Sequence, residues 1–217
     1  MSLRKHHSSM MNTLRALGRD EQWSLYGTGG GYNDTLTIGR YKIEIENNEN
    51  DTRFLIWDPK RPCVNMLFDK RERVGVLDSI RYDPDCTSPE QMTRGSETRE
   101  MVDFSIGILK RNGATKVFLT DKSTIDCGGT DIELGPMYFL KYGKTWYETH
   151  FGFRPSAKFA AEYEDAKRQR VELLDTDFLS TQKCEFFDRE TVRDIFRYIG
   201  FVNFYSIPWV KDLTNHT

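Results

Sequence analysis

Hydrophobic positions change their period once along the chain, near residue 98. Ahead of that point they alternate. Leu36 and Ile38, then Tyr41, Ile43 and Ile45, flank Gly39-Arg40 in the manner of a hairpin whose strands bury one face. Asn47 to Asp51 reads as the next turn. Arg53 to Trp57 and Val64 to Phe68 form a second strand pair, joined by Asp58-Pro59-Lys60-Arg61-Pro62. Val74 to Tyr82 predicts a longer strand, closed by Asp83-Pro84-Asp85.

From Thr98 the spacing is helical. Met101, Phe104 and Ile108 share a face flanked by Val102, Ile106 and Leu109, and Asn112-Gly113 supplies the stop. Lys116 to Thr120 is a short apolar strand, Asp121 to Gly135 a polar loop, and Met137 to His150 a central helix. A charged helix follows from Ala157 to Leu174, and another from Arg189 to Ile199 between an Asp188 cap and Gly200. The run Phe201 to Trp209 is aromatic and is expected to pack on the body. Strands first, helices later, predicts an α+β fold with a mostly antiparallel mixed sheet. The expected organisation is a polar, flexible segment over 1–34, a core over 35–155 and a helical extension over 156–217.

Composition narrows the function classes. The chain has 217 residues, 31 Lys and Arg against 33 Asp and Glu, and a formal net charge of −2. That balance gives no reason to expect nucleic-acid binding. No apolar run approaches the ~18 residues that span a bilayer, and the N-terminus carries no apolar signal region. A soluble, cytoplasmic-type protein is expected. Cys63, Cys86, Cys127 and Cys184 are widely spaced and lack the close pairing of zinc ligands, so reduced thiols and no metal are expected.

Two stretches carry candidate chemistry. Arg94-Gly95-Ser96-Glu97-Thr98 opens a helix, where a glycine allows close approach and free N–H groups favour an anion. Ser96 and Thr98 are equally ordinary capping residues. Further on, Thr145-Trp146-Tyr147-Glu148-Thr149-His150-Phe151-Gly152-Phe153-Arg154-Pro155 reads as a helix end with an aromatic pair on its last turn.

The order of these features resembles the GNAT superfamily of acyl-CoA N-acyltransferases. It comprises a long strand closed by proline, a Gly-Ser/Thr helix start, the strand Val117-Phe118-Leu119, and an aromatic Tyr-Glu…Gly-Phe helix exit. The resemblance spans roughly Val74 to Pro155. It implies that acetyl-CoA or another acyl-CoA lies over Ile80, Tyr82, Arg94, Gly95, Ser96 and Thr98, with an amine as acceptor. It also implies that Tyr147 is the general acid for the leaving thiolate. Glu97 stands where the family usually has a second glycine. A base is needed too, and Asp78, Glu44 and Glu46 are the candidates. Asp121 and Ser123 would hold the pantetheine arm or cap the loop.

More narrowly, Arg94-Gly95…Thr98…Met101, Leu119…Asp121…Ser123…Cys127 and Tyr142 to Glu148 are similar to GNAT-like proteins of large DNA viruses. That similarity implies an alternative, a non-catalytic structural protein whose partners are other virion proteins.

Overall fold

The alternating half of the chain forms strands that pair in sequence order, as short connections between half-buried strands favour. The computed structural model describes residues 32–38, 41–58, 61–80, 96–201 and 204–214. Strands β1 (Tyr32–Ile38), β2 (Tyr41–Asn47), β3 (Asp51–Asp58), β4 (Arg61–Asp69) and β5 (Val74–Ile80) make an antiparallel meander. Helix α1 (Ser96–Arg111) follows, and β6 (Lys116–Thr120) then lies parallel to β5. The two-residue β9 (Arg154–Pro155) and β10 (Pro208–Asp212) complete an eight-stranded sheet of order β1-β2-β3-β4-β5-β6-β10-β9. The fold is α+β with a mostly antiparallel sheet. No helix among the described residues is long and apolar enough to cross a membrane.

One row of side chains ties the sheet together. Ile45, Phe54, Met66, Leu77, Leu119 and Trp209 are successive partners across six strands, and all are buried. On this face α1 lies directly over β5. A Cβ at Gly75 would stand 2.7 Å from Leu109 Cδ1, so glycine sets how closely the helix approaches.

Later elements depart from the sequence reading in three places. The stretch read as a polar loop is a hairpin, β7 (Thr124–Cys127) with β8 (Thr130–Glu133), separate from the main sheet. Gly128 and Gly129, at φ 66° and 92°, supply the two left-handed residues that such a tight turn needs.

The central helix is two helices, α2 (Leu134–Tyr142) and α3 (Trp146–Phe151). Gly143, at φ 72°, ends the first by donating its N–H to the Phe139 carbonyl, and the Thr145 side chain caps the second by accepting from the Glu148 N–H. Trp146 and Tyr147 therefore open a helix rather than close one.

Finally, the region over 156–217 is more than a helical extension. After α4 (Ala160–Leu173), α5 (Thr176–Thr181) and α6 (Arg189–Tyr198), the chain returns to the sheet and places β10 between β6 and β9. The α6 cap is Asp188, as expected. The aromatic run does pack on the body. Phe204 lies 5.0 Å from Phe196 and 5.7 Å from Phe139 between ring centroids, and Trp209 lies 5.3 Å from Tyr163. At the other end, β1 begins at Tyr32, inside the segment read as flexible.

The cysteines correct the expectation of reduced thiols. Cys127 and Cys184 form a disulfide with Cα atoms 6.0 Å apart, and Cys63 is disulfide-bonded as well. Sequence distance hid the first pair. The two residues are 57 apart along the chain, and they meet because β8 packs on the 3-10 turn Cys184–Phe187.

Candidate functional site

The sheet opens where its two parallel strands end. Strand β5 pairs with β6 from Val74↔Lys116 to Leu77↔Leu119 and no further, while Asp78, Ser79 and Ile80 continue beside β4 alone. The same point carries a β-bulge. Met66 pairs with Leu77 and Asn65 with Ser79, so Asp78 is the extra residue. Thr120, at the end of β6, turns instead to Pro208 of β10.

Of the residues read from sequence, Asp78 is exposed at this bulge, and its Oδ2 accepts from Asn65 Nδ2 at 2.8 Å. The chain of contacts continues outward. Asn65 Oδ1 accepts from Arg53 at 3.0 Å, and Arg53 lies 3.7 Å from Glu46. Ile80 ends β5 half-buried, opposite Val64. Ser96 is the first residue of α1, and Thr98 lies in its first turn, half-buried. Tyr82, Arg94 and Gly95 lie outside the described residues.

Immediately past β6 the chain buries a carboxyl. Asp121 Oδ1 accepts from the Ser123 N–H at 3.1 Å and from the Ser123 hydroxyl at 2.5 Å. Ser123 thus clamps Asp121 in a local turn, the loop-capping arrangement. Asp121 Oδ2 is enclosed and has no hydrogen-bond partner among the described residues. The first turn of α2 closes over it, since a Cβ at Gly135 would come within 2.6 Å of this oxygen. Burial raises the carboxyl above its ordinary range, against the pull of the two Ser123 hydrogen bonds and with a further push from Glu133.

Tyr147 stands within the electrostatic reach of Asp121. Its ring is buried against Trp146, Phe151 and Phe153, with centroids 5.0, 6.1 and 5.9 Å away. Burial pushes its hydroxyl well up, and Asp121 pushes it further. The phenol is therefore protonated across the neutral range. The reading of the aromatic pair as a helix's last turn is corrected, because Tyr147 lies in a first turn and packs inward.

The neighbouring Glu148 has a different task. Its two oxygens accept from Tyr163 Oη at 2.5 Å and Lys167 Nζ at 3.0 Å, which fastens α3 to α4. On the outer side of α3, Arg99 of α1 lies 2.9 Å from His150 Nε2. A guanidinium only donates, so this nitrogen accepts and the imidazole is neutral. Burial and the Arg99 charge both lower the His150 pKa. Lys211 of β10 donates to the Phe151 carbonyl at 2.5 Å and holds the far end of α3.

Sequence reasoning did not anticipate the Glu148–Tyr163–Lys167 unit or the half-satisfied carboxyl of Asp121. Among the described residues, the one metal-type grouping is Cys127, Cys184 and Glu185. Its sulfurs are bonded to each other. No protein-family description, curated protein or solved structure matches the chain.

Proposed function

We propose that this is a GNAT-like acyltransferase that moves an acyl group from acyl-CoA to an amine at the parting of β5 and β6. The observation that carries the reading is the arrangement at that parting. Among the described residues a single parallel strand pair, bridged by α1, separates beyond Leu77↔Leu119 at a bulge, and Tyr147 stands within electrostatic reach of Asp121, the residue that follows β6. An extended thioester arm fits between strand ends that no longer bond each other, with its anionic end toward the start of α1. Strand order supports the same reading, since β10 returns beside β6 and outside it lies the short β9 reached from α3.

In the reaction the amine nitrogen attacks the thioester carbon, a C–N bond forms and the C–S bond breaks. Tyr147 supplies the proton that the departing sulfur takes up. Burial disfavours a free thiolate and a free phenolate alike, so the proton moves together with C–S cleavage and no separate thiolate forms first. Asp78 is exposed at the bulge and takes the ammonium proton through water.

The test is turnover and binding measured side by side. Tyr147→Phe should lower kcat by about 10²–10⁴-fold while acetyl-CoA binding by calorimetry stays within a factor of about two. Equal loss of binding and turnover, or unchanged turnover, defeats the assignment of Tyr147. Absence of any acetyl-CoA heat at millimolar ligand defeats the acyltransferase reading as a whole.

A second reading is favoured by one observation. Disulfides at Cys63 and at Cys127–Cys184 suit a protein that works in an oxidising setting such as a virion surface. On that reading the fold is a scaffold within a particle. It predicts fully oxidised protein in assembled particles and no coenzyme binding in any redox state.

A further inference from the structure

The β7–β8 hairpin is a two-stranded ribbon outside the main sheet, and a ribbon of that size is marginal on its own. Ile132 of β8 is buried in the core, and three bonds fix the ribbon further. Its neck is closed by the Leu134 N–H donating to the Ser123 carbonyl at 2.8 Å. Its tip is fixed by the Gly129 N–H, which donates to Asp126 Oδ1 at 2.9 Å. Its flank is joined covalently through Cys127 to Cys184, at the start of the 3-10 turn that precedes α6.

The neck residue Ser123 is also the residue that clamps Asp121. The last residue of β8, Glu133, leads straight into the α2 turn that closes over Asp121. Covalent strap, ribbon neck and buried carboxyl form one connected unit. Cys127 is buried whereas Cys184 is only half-buried, so a thiol reagent meets the Cys184 sulfur first.

We propose that the Cys127–Cys184 bond is a redox strap that sets the order of the Asp121–Ser123 clamp and of the α2 turn that closes over it. A dithiol reductant attacks the Cys184 sulfur, Cys127 leaves as a thiolate, and a second attack within the mixed disulfide frees Cys184 and oxidises the reductant to its cyclic disulfide. Cleavage frees the ribbon at its flank, the Ser123 clamp loosens, and the Asp121 carboxyl loses the two donors on Oδ1. Exchange of the two thiols with a small-molecule disulfide, which takes the two electrons and leaves as two thiols, re-forms the bond and restores them. The part of this inference that concerns catalysis rests on the acyltransferase reading; the structural part does not.

The test compares the full chain with the double variant Cys127→Ser/Cys184→Ser, in which the Cys63 bond stays intact, by amide hydrogen exchange. Exchange over 121–135 and 182–188 should quicken at least about tenfold, with strands β3 to β6 and β10 unchanged. Unchanged exchange over 121–135 overturns the proposal, as does a uniform rise across the whole chain. If the variant does not fold, the wild-type protein reduced in its folded state gives the same comparison, with thiol alkylation verifying which bond opened. Acetyl-CoA calorimetry on both forms separates the two ideas. A loosened ribbon with no coenzyme binding in either form keeps the strap and removes the acyltransferase reading. An unaltered ribbon removes the strap whatever the coenzyme does.

Discussion

Two carboxyls, one on α3 and one beneath the first turn of α2, are treated in opposite ways. Glu148 has a donor on each oxygen, Tyr163 on one and Lys167 on the other, and Lys167 also sits 4.4 Å over the Tyr163 ring. Asp121 has two donors on one oxygen and none on the other among the described residues. A buried polar group with every partner made is an ordinary fastening, whereas one left half-made costs about 1–3 kcal/mol. Both fall within the Val74 to Pro155 span that carries the resemblance. The contrast gives Glu148, the residue beside the tyrosine, an architectural task, and leaves Asp121 as the half-satisfied group that the proposed reading draws on.

The strongest way to break this comparison is at the fastening. Tyr163→Ala should destabilise the fold by about 3–5 kcal/mol in urea titration, since it removes a fully buried ring against Trp209 together with the Glu148 donor. Tyr163→Phe keeps the ring and isolates the hydrogen bond, and about 1–3 kcal/mol is expected. A Tyr163→Phe protein as stable as wild type would mean that Glu148 is not held as described.

The Asp121 side is sharpened by pH. Its folded pKa is raised above the unfolded value near 3.9, so the unfolded chain releases this proton first. The stability tied to the bound proton is complete below that value and is lost as pH rises through the folded pKa. Asp121→Asn keeps the shape, cannot ionise, and should gain on the order of 1 kcal/mol at neutral pH with a flatter profile above pH 4. A variant less stable than wild type at every pH would show that the orphan oxygen has a partner after all.

The smallest effect belongs to His150. Its folded pKa is lowered, so stability is present above the unfolded value near 6.5 and falls as pH drops below it. The group is largely solvated, and solvent screening limits the change to a few tenths of a kcal/mol. Arg99→Gln should lessen this pH dependence, seen as a smaller drop in Tm between pH 7 and pH 5.

Local order was readable from residues, and long-range order was not. Alternation placed β2 to β5, the apolar run at 116–120 gave β6 to the residue, and Asp188 with Gly200 marked both ends of α6. Two misreadings had signals in plain view. Cys127-Gly128-Gly129-Thr130 is a two-residue hairpin turn between alternating pairs, and Thr145…Glu148 after Gly143 is a helix stop followed by a new cap.

Other features had no local signal. Pro208 to Asp212 becomes a strand through its register with β6, and Cys127 meets Cys184 only after α2 and α5 have packed. The buried state of Asp121 depends on Gly135 having no side chain, a contact fourteen residues away, 135 less 121. The candidate site was legible as a tyrosine in a motif. Its orientation was not, because that depended on where one helix became two.

The position of β10 has a consequence for how the chain is made. Its neighbour β6 ends at Thr120, and β10 begins at Pro208, 88 residues later by subtraction. At synthesis rates of about 5–20 residues per second, β6 waits roughly 4–18 seconds for its partner. Throughout that interval one edge of the central sheet carries unpaired backbone groups beside Phe118 and Leu119, which is the condition that invites pairing with another nascent chain. Folding yield in a cell therefore depends on how well that edge is shielded during translation, and slowing elongation between residues 120 and 208 would raise the aggregated fraction without altering the finished molecule.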